Sequence, residues 1–120
     1  MDNGRIHTYL VSRWLQDLSS SYVSLHFSDP DVDDPVLSEV SGNGYKRQMT
    51  IMEPVSDRSI MSTKEIRFVK LPPTLLTHFA LWDSEIGGQL LASGPLAAAV
   101  RLIGDSSYVI PANNIAISIA

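Results

Sequence analysis

Leu76-Thr77-His78-Phe79-Ala80-Leu81-Trp82 is the stretch on which the fold turns. Alternate residues of an extended strand face opposite ways, so Leu76, His78, Ala80 and Trp82 share one side and Phe79 and Leu81 the other. Both sides are largely apolar. A strand of that kind belongs in the middle of a sheet and is covered on both faces.

Working outward, the neighbouring segments also read as strands separated by turn chemistry. Upstream, Ile66 and Phe68 mark a strand that Pro72-Pro73 stops. Downstream, Gly87-Gly88 turns the chain into a strand from Gln89 to Ser93, and Gly94-Pro95 breaks it. Leu96 to Ile103 and Tyr108 to Ile110 predict two more. Ile115, Ile117 and Ile119 alternate with Ala116, Ser118 and Ala120, a final strand running to the last residue. Earlier in the chain, Val23, Leu25 and Phe27 alternate with Ser24, His26 and Ser28. Asp29 to Pro35 is a proline- and aspartate-rich loop, and Gly42-Asn43-Gly44 is a tight turn leading into a strand from Tyr45 to Met52.

Only the beginning departs from period two. Between Arg5 and Leu18, the residues Ile6, Leu10, Val11, Trp14, Leu15 and Leu18 recur at spacings of three and four, the signature of an amphipathic helix. Asp2 or Asn3 can cap it and Ser19-Ser20-Ser21 end it. The expected fold class is therefore mainly β: a β-sandwich or jelly-roll-like domain of seven to eight short strands with one N-terminal α-helix. A single domain spans 1–120, with the helix at about 5–19 and the β-rich part at 22–120.

Bulk properties narrow the function. The 120 residues are 44% hydrophobic and 18% charged, ordinary for a chain that buries a core. The net charge is −4, and the longest basic cluster is Lys46-Arg47, which argues against a nucleic-acid partner. Cysteine is absent, removing disulfides, thiolate metal sites and cysteine nucleophiles together. No apolar run approaches the roughly 20 residues of a membrane-spanning helix, and no signal-peptide core is visible, so a soluble protein made in a cytoplasm is expected.

Candidate chemistry is sparse. Asp29-Pro30-Asp31-Val32-Asp33-Asp34 has the opening spacing of a calcium loop, but Asp34 stands where such a loop needs glycine and Val40 where it needs glutamate. His7, His26 and His78 are at no metal-ligand spacing: His7 falls on the helix's apolar face, His26 on the polar face of its strand, and His78 beside Phe79. No nucleophile elbow exists, and Ser41-Gly42-Asn43-Gly44 precedes a strand where a phosphate cradle would open a helix. Glu39, Glu53, Glu65 and Glu85 are single carboxylates. The residues predict no enzyme, no catalytic or metal-binding side chains, and no cofactor.

Several segments taken in order resemble the small tail-fibre-like, or minor tail, virion proteins of long-tailed bacteriophages. These are Val23-Ser24-Leu25-His26-Phe27-Ser28-Asp29-Pro30, then Glu39-Val40-Ser41-Gly42-Asn43-Gly44-Tyr45-Lys46-Arg47-Gln48, then Thr77-His78-Phe79-Ala80-Leu81-Trp82-Asp83 with Gly87-Gly88-Gln89-Leu90-Leu91, and finally Gly104-Asp105 with Ile110-Pro111-Ala112. The glycine-tyrosine-arginine segment is the most specific. Ile60-Met61-Ser62-Thr63 replaces a differently composed turn, and the Asp31–Pro35 loop is less glycine-rich than in the family. The resemblance implies a structural component of the virion, placed in the tail or at its tip or fibre. It would be made in the host cytoplasm and assemble with copies of itself and with other virion proteins. A head or neck decoration protein and a receptor- or carbohydrate-binding module are the rival readings.

The motif also has physical content. Gly42 and Gly44 permit positive φ on either side of Asn43. Tyr45 can then enter the core while Arg47 lies on the same face, with Glu39 across the turn as its acceptor. Glu39, Gly42, Gly44, Tyr45, Arg47, Trp82 and Asp83 are therefore the candidate structural or assembly residues. Self-association as a trimer is expected as well. The central strand and the helix leave apolar surface to cover, and Ile115–Ile119 reads as an edge strand with no proline or charge. The number three comes from the likeness to fibre proteins.

Overall fold

The computed structural model describes residues 2–6, 20–30, 34–56 and 59–118. Nine strands stand in them: β1 (Asp2–Ile6), β2 (Ser20–His26), β3 (Gln48–Ser56), β4 (Ser59–Ser62), β5 (Ile66–Leu71), β6 (Thr74–Trp82), β7 (Leu90–Leu102), β8 (Ser106–Ile110) and β9 (Ile115–Ser118). Seven of them close a barrel in the order β1-β7-β6-β2-β3-β4-β9, and β5 and β8 form a separate two-stranded ribbon.

The closed barrel replaces the expected sandwich. Pairing between the first and last strands makes the difference: β1 runs parallel to β9, with Asp2 opposite Ile115 and Gly4 opposite Ile117, while its other edge meets β7. The strand Ile115–Ser118 is consequently no edge, since β4 pairs with its other side. Ile115 and Ile117 are completely buried. Each contributes about 1.5–3 kcal/mol through the area removed from water.

The central strand is as the alternation predicts. β6 lies between β2 and β7, and Phe79, Ala80 and Leu81 are fully buried, with Trp82 close behind. Val23, Leu25, Met52, Ile60, Phe79, Leu81, Leu91, Ile115 and Ile117 belong to one core cluster that continues into Ile66, Phe68, Leu71 and Ile110 of the ribbon.

Three expectations fail for local reasons. Gly94-Pro95 does not end a strand. β7 runs through it, and the register against β6 slips between Leu76 and His78, a bulge that absorbs the proline without a ladder bond. The Ile60–Ser62 segment, expected as a turn, is strand β4, because Ile60 is needed in the core opposite β9. The strand expected from Tyr45 begins only at Gln48 and extends to Ser56. Of the predicted N-terminal helix, Arg5 and Ile6 stand in β1, and its remaining residues lie outside the described ones. No α-helix occurs among the described residues.

Candidate functional site

Between β2 and β3, residues 38–40 run antiparallel beside residues 25–27. Val40 N–H donates to Leu25 O at 2.9 Å, Phe27 N–H to Ser38 O at 3.1 Å, and Glu39 bridges to His26. The Ser38–Val40 segment thereby lies along the edge of β2 opposite β6, and Ser24 and His26 of β2 are completely buried. His26 therefore does not lie on a solvated face as its alternation suggested.

Arg47 binds that segment to the loop after β6. Its Nε donates to Glu39 Oε2 at 3.0 Å and its Nη2 to Glu39 Oε1 at 2.9 Å, a two-pronged ion pair with both side chains mostly buried. Nη1 donates to Ser84 O at 3.2 Å and to Gly87 O at 2.7 Å, so the same guanidinium pins the loop between β6 and β7. Its carbon stands 3.9 Å from the centroid of the Trp82 ring, where the cation meets the electron-rich face. The acceptor expected from sequence, Glu39, is thus correct, whereas the two carbonyls and the indole are contacts that sequence reasoning missed. They come from a loop almost forty residues away, and no spacing signal announces them.

Tyr45 enters the cluster as predicted. Its ring stacks on Phe68 with centroids 6.2 Å apart, and its hydroxyl donates to Glu39 Oε2 at 2.7 Å while accepting from Leu25 N–H at 3.1 Å. Burial and the neighbouring Glu39 carboxylate both raise the phenol well above its ordinary range. Asp83 holds the base of the pinned loop, its Oδ1 accepting from Gln89 N–H at 2.8 Å.

The glycines divide in role. Gly42 takes φ +108, open only to glycine, and Asn43 follows at φ +51. Gly44 does not adopt positive φ as expected. It is small because a Cβ there would stand 2.9 Å from the Lys70 side chain, and its N–H donates to Lys70 O at 3.0 Å. Asn43 Nδ2 adds a bond of 2.9 Å to Asp105 Oδ1, tying the turn to the loop before β8.

Beneath the arginine runs a polar chain. Trp82 Nε1–H donates to Ser24 Oγ at 2.7 Å, Ser24 Oγ is 2.6 Å from His26 Nε2, and His26 Nδ1 is 2.9 Å from Ser38 Oγ. The serine–imidazole pair resembles a nucleophile and its base in distance. Ser24, however, is fully buried and already accepts the indole N–H. Burial lowers the His26 pKa to about 4, more than the opposing pull of Glu39 can offset. His78 lies partly buried with Nδ1 2.8 Å from Thr77 Oγ1.

In the acidic loop, Asp34 directs its Oδ1 to the amides of Val36 at 2.9 Å and Leu37 at 3.4 Å, while Asp31 and Asp33 lie outside the described residues. Among the described residues no group of three His, Cys, Asp or Glu is placed to hold a metal. The loops that Arg47 fastens display apolar side chains outward. Val36 and Leu37 stand on one, and Ile86, 87% exposed, on the other.

A family model described as "Podophage GP4 fiber I protein gp80" matches residues 8–118 of the chain. No curated protein matches it. The matched family is one of podophages, which corrects the long-tailed phages implied by the sequence resemblance while keeping the fibre.

Proposed function

This chain belongs to the family of the podophage GP4 fiber I protein gp80, and on that premise we propose that it works in the virion as a structural part of the tail fibre, through protein–protein contacts and without catalysis. The observation that carries the reading is the family match over nearly the whole chain. The architecture is consistent with it. Among the described residues, the Ser24–His26 pair at catalytic distance is completely buried, and the Arg47 side chain is occupied by Glu39 and by the Ser84 and Gly87 carbonyls. Trp82, the natural platform for a sugar ring, is buried under Arg47, which favours protein partners over carbohydrate.

The partners are other virion proteins and other copies of this chain, with neither nucleic acid nor membrane among them. On β3, Met49, Ile51 and Val55 point outward at 58%, 42% and 58% exposure, a row that supports self-association. Three copies are proposed from the likeness to fibre proteins; the barrel itself supplies no such number. Synthesis takes place in the host cytoplasm.

Mass spectrometry of purified particles tests the placement: the protein is expected in intact virions at fixed stoichiometry. Absence from particles despite abundance in infected cells would overturn it. Light scattering at micromolar concentration is expected to give a trimer mass, and a monomer that persists on concentration removes the self-association.

A further inference from the structure

An asparagine followed by glycine is open to attack by its own backbone, because glycine has no Cβ to obstruct the approach. The pair occurs at Asn3-Gly4 in β1 and at Asn43-Gly44 in the exposed turn before Tyr45. In the turn the reaction has a definite course. Gly44 N loses its hydrogen and bonds to Asn43 Cγ, Asn43 Nδ2 leaves as ammonia, and water opens the cyclic imide that results. The product is aspartate, or isoaspartate where the chain is left running through the side-chain carboxyl.

Both reacting nitrogens are held. Gly44 N–H donates to Lys70 O at 3.0 Å, and Asn43 Nδ2 donates to Asp105 Oδ1 at 2.9 Å. The first bond fixes the nucleophile against β5, and the second ties the leaving amide to the loop before β8. Tyr45 N–H, donating to Gly42 O at 3.1 Å, closes the turn across them. Reaction requires the first two bonds to open together.

The Lys70 carbonyl comes from an irregular stretch of backbone. Lys70 takes φ +54, which L side chains rarely adopt, and the register of β5 against β8 slips between Phe68 and Leu71, around it. Its side chain lies along Gly44 and leaves no room for a Cβ there. Asp105 follows Gly104, which stands at φ +79. Since Leu71 pairs with Ser106, Lys70 and Asp105 flank the same end of the ribbon. A strained residue persists only where its surroundings hold it, and the carbonyl of this one meets the nitrogen that would react.

We propose that Asn43 is a guarded deamidation site: Lys70 O and Asp105 Oδ1 hold its two reacting nitrogens, and the turn is modified only through local opening of those bonds. Conversion sets a carboxylate beside Asp105 or inserts a methylene into the backbone just ahead of Tyr45 and Arg47. The modification is therefore a one-way loosening of the turn that leads into the Arg47 cluster.

Peptide mapping by mass spectrometry, on the full chain incubated in mildly alkaline buffer, tests the guard and separates Asn43 from Asn3. Asn43 of the folded protein should convert about tenfold or more slowly than in the same chain unfolded in guanidinium chloride, since two hydrogen bonds must open at once. Asp105→Ala frees the amide nitrogen and should speed conversion about threefold. Asp105→Asn, whose carbonyl still accepts, should stay near the parent. Should Asp105→Ala fail to fold, hydrogen exchange on the parent decides: the Gly44 amide should exchange slowly, and its exchange and the conversion at Asn43 should quicken together at sub-denaturing guanidinium. Equal rates in folded and unfolded chains, a folded Asp105→Ala that converts like the parent, or a Gly44 amide that exchanges as fast in the folded as in the unfolded chain each overturns the proposal.

Discussion

The Arg47 guanidinium stands over the Trp82 ring, 3.9 Å from carbon to centroid, while Glu39 grips its edge with both carboxylate oxygens. One cation thus joins three pieces of the chain: the segment that pairs beside β2, the residue before β3 and the loop after β6. Such a pair differs from an exposed salt bridge because removing either partner strands a charge or carbonyl away from water.

Arg47→Ala should accordingly lower stability by about 3 kcal/mol, the cost of an uncompensated buried carboxylate and two unpaired carbonyls. Urea unfolding followed by circular dichroism measures it. Arg47→Lys should recover only part, since an ammonium cannot form the fork or stack as a plane. An Arg47→Ala protein that unfolds like the parent yet fails to enter particles would make Arg47 a contact residue instead.

Trp82→Phe keeps an aromatic face under Arg47 and deletes the N–H that Ser24 receives. A loss of about 1–2 kcal/mol is expected, smaller than for Arg47→Ala. If Trp82→Phe proves the more damaging of the two, the stack and not the ion pair dominates the cluster.

Tyr45 gives an alkaline prediction. Burial and Glu39 raise its folded pKa above the unfolded value of 10.0, so the native state keeps a proton that the unfolded chain releases. The resulting stability is whole below about pH 10 and declines as the pH climbs beyond it. Denaturant midpoints taken between pH 8 and 11 should fall more steeply for the parent than for Tyr45→Phe. Parallel curves would dismiss the phenol as their cause.

Asn43→Asp places a second carboxylate beside Asp105, where the amide now donates at 2.9 Å. Both groups are exposed, so the loss should stay below about 1 kcal/mol and shrink in high salt. A salt-independent loss would implicate the positive φ of this residue instead of its charge.

The pattern of residues made parts of this protein legible and hid others. The two-faced alternation of Leu76–Trp82 located the central strand, and Glu39, Tyr45 and Arg47 lay close enough in sequence for their meeting to be read from turn geometry. Closure was invisible because β1 and β9 pair through backbone atoms across nearly the whole chain, and no side-chain pattern encodes a partner. His26 was misplaced because alternation describes a strand facing solvent, and it cannot see a later segment pairing beside that strand and bringing Ser38 to the ring. The carbonyls of Ser84 and Gly87 were equally beyond reach, since any residue type could have supplied them.

The pairing of β1 with β9 bears on how quickly the molecule can form. Residues on the order of a hundred positions apart, such as Asp2 and Ile115, must meet before the wall is continuous. The hairpin of β6 and β7 needs only its own loop. Contacts between distant residues cost loop-closure entropy before they return any stabilisation, so they come late and set the pace. During synthesis, β1 must therefore wait without its parallel neighbour until Ile115–Ser118 emerges from the ribosome. Over that interval the half-made barrel presents an open seam to every other nascent copy.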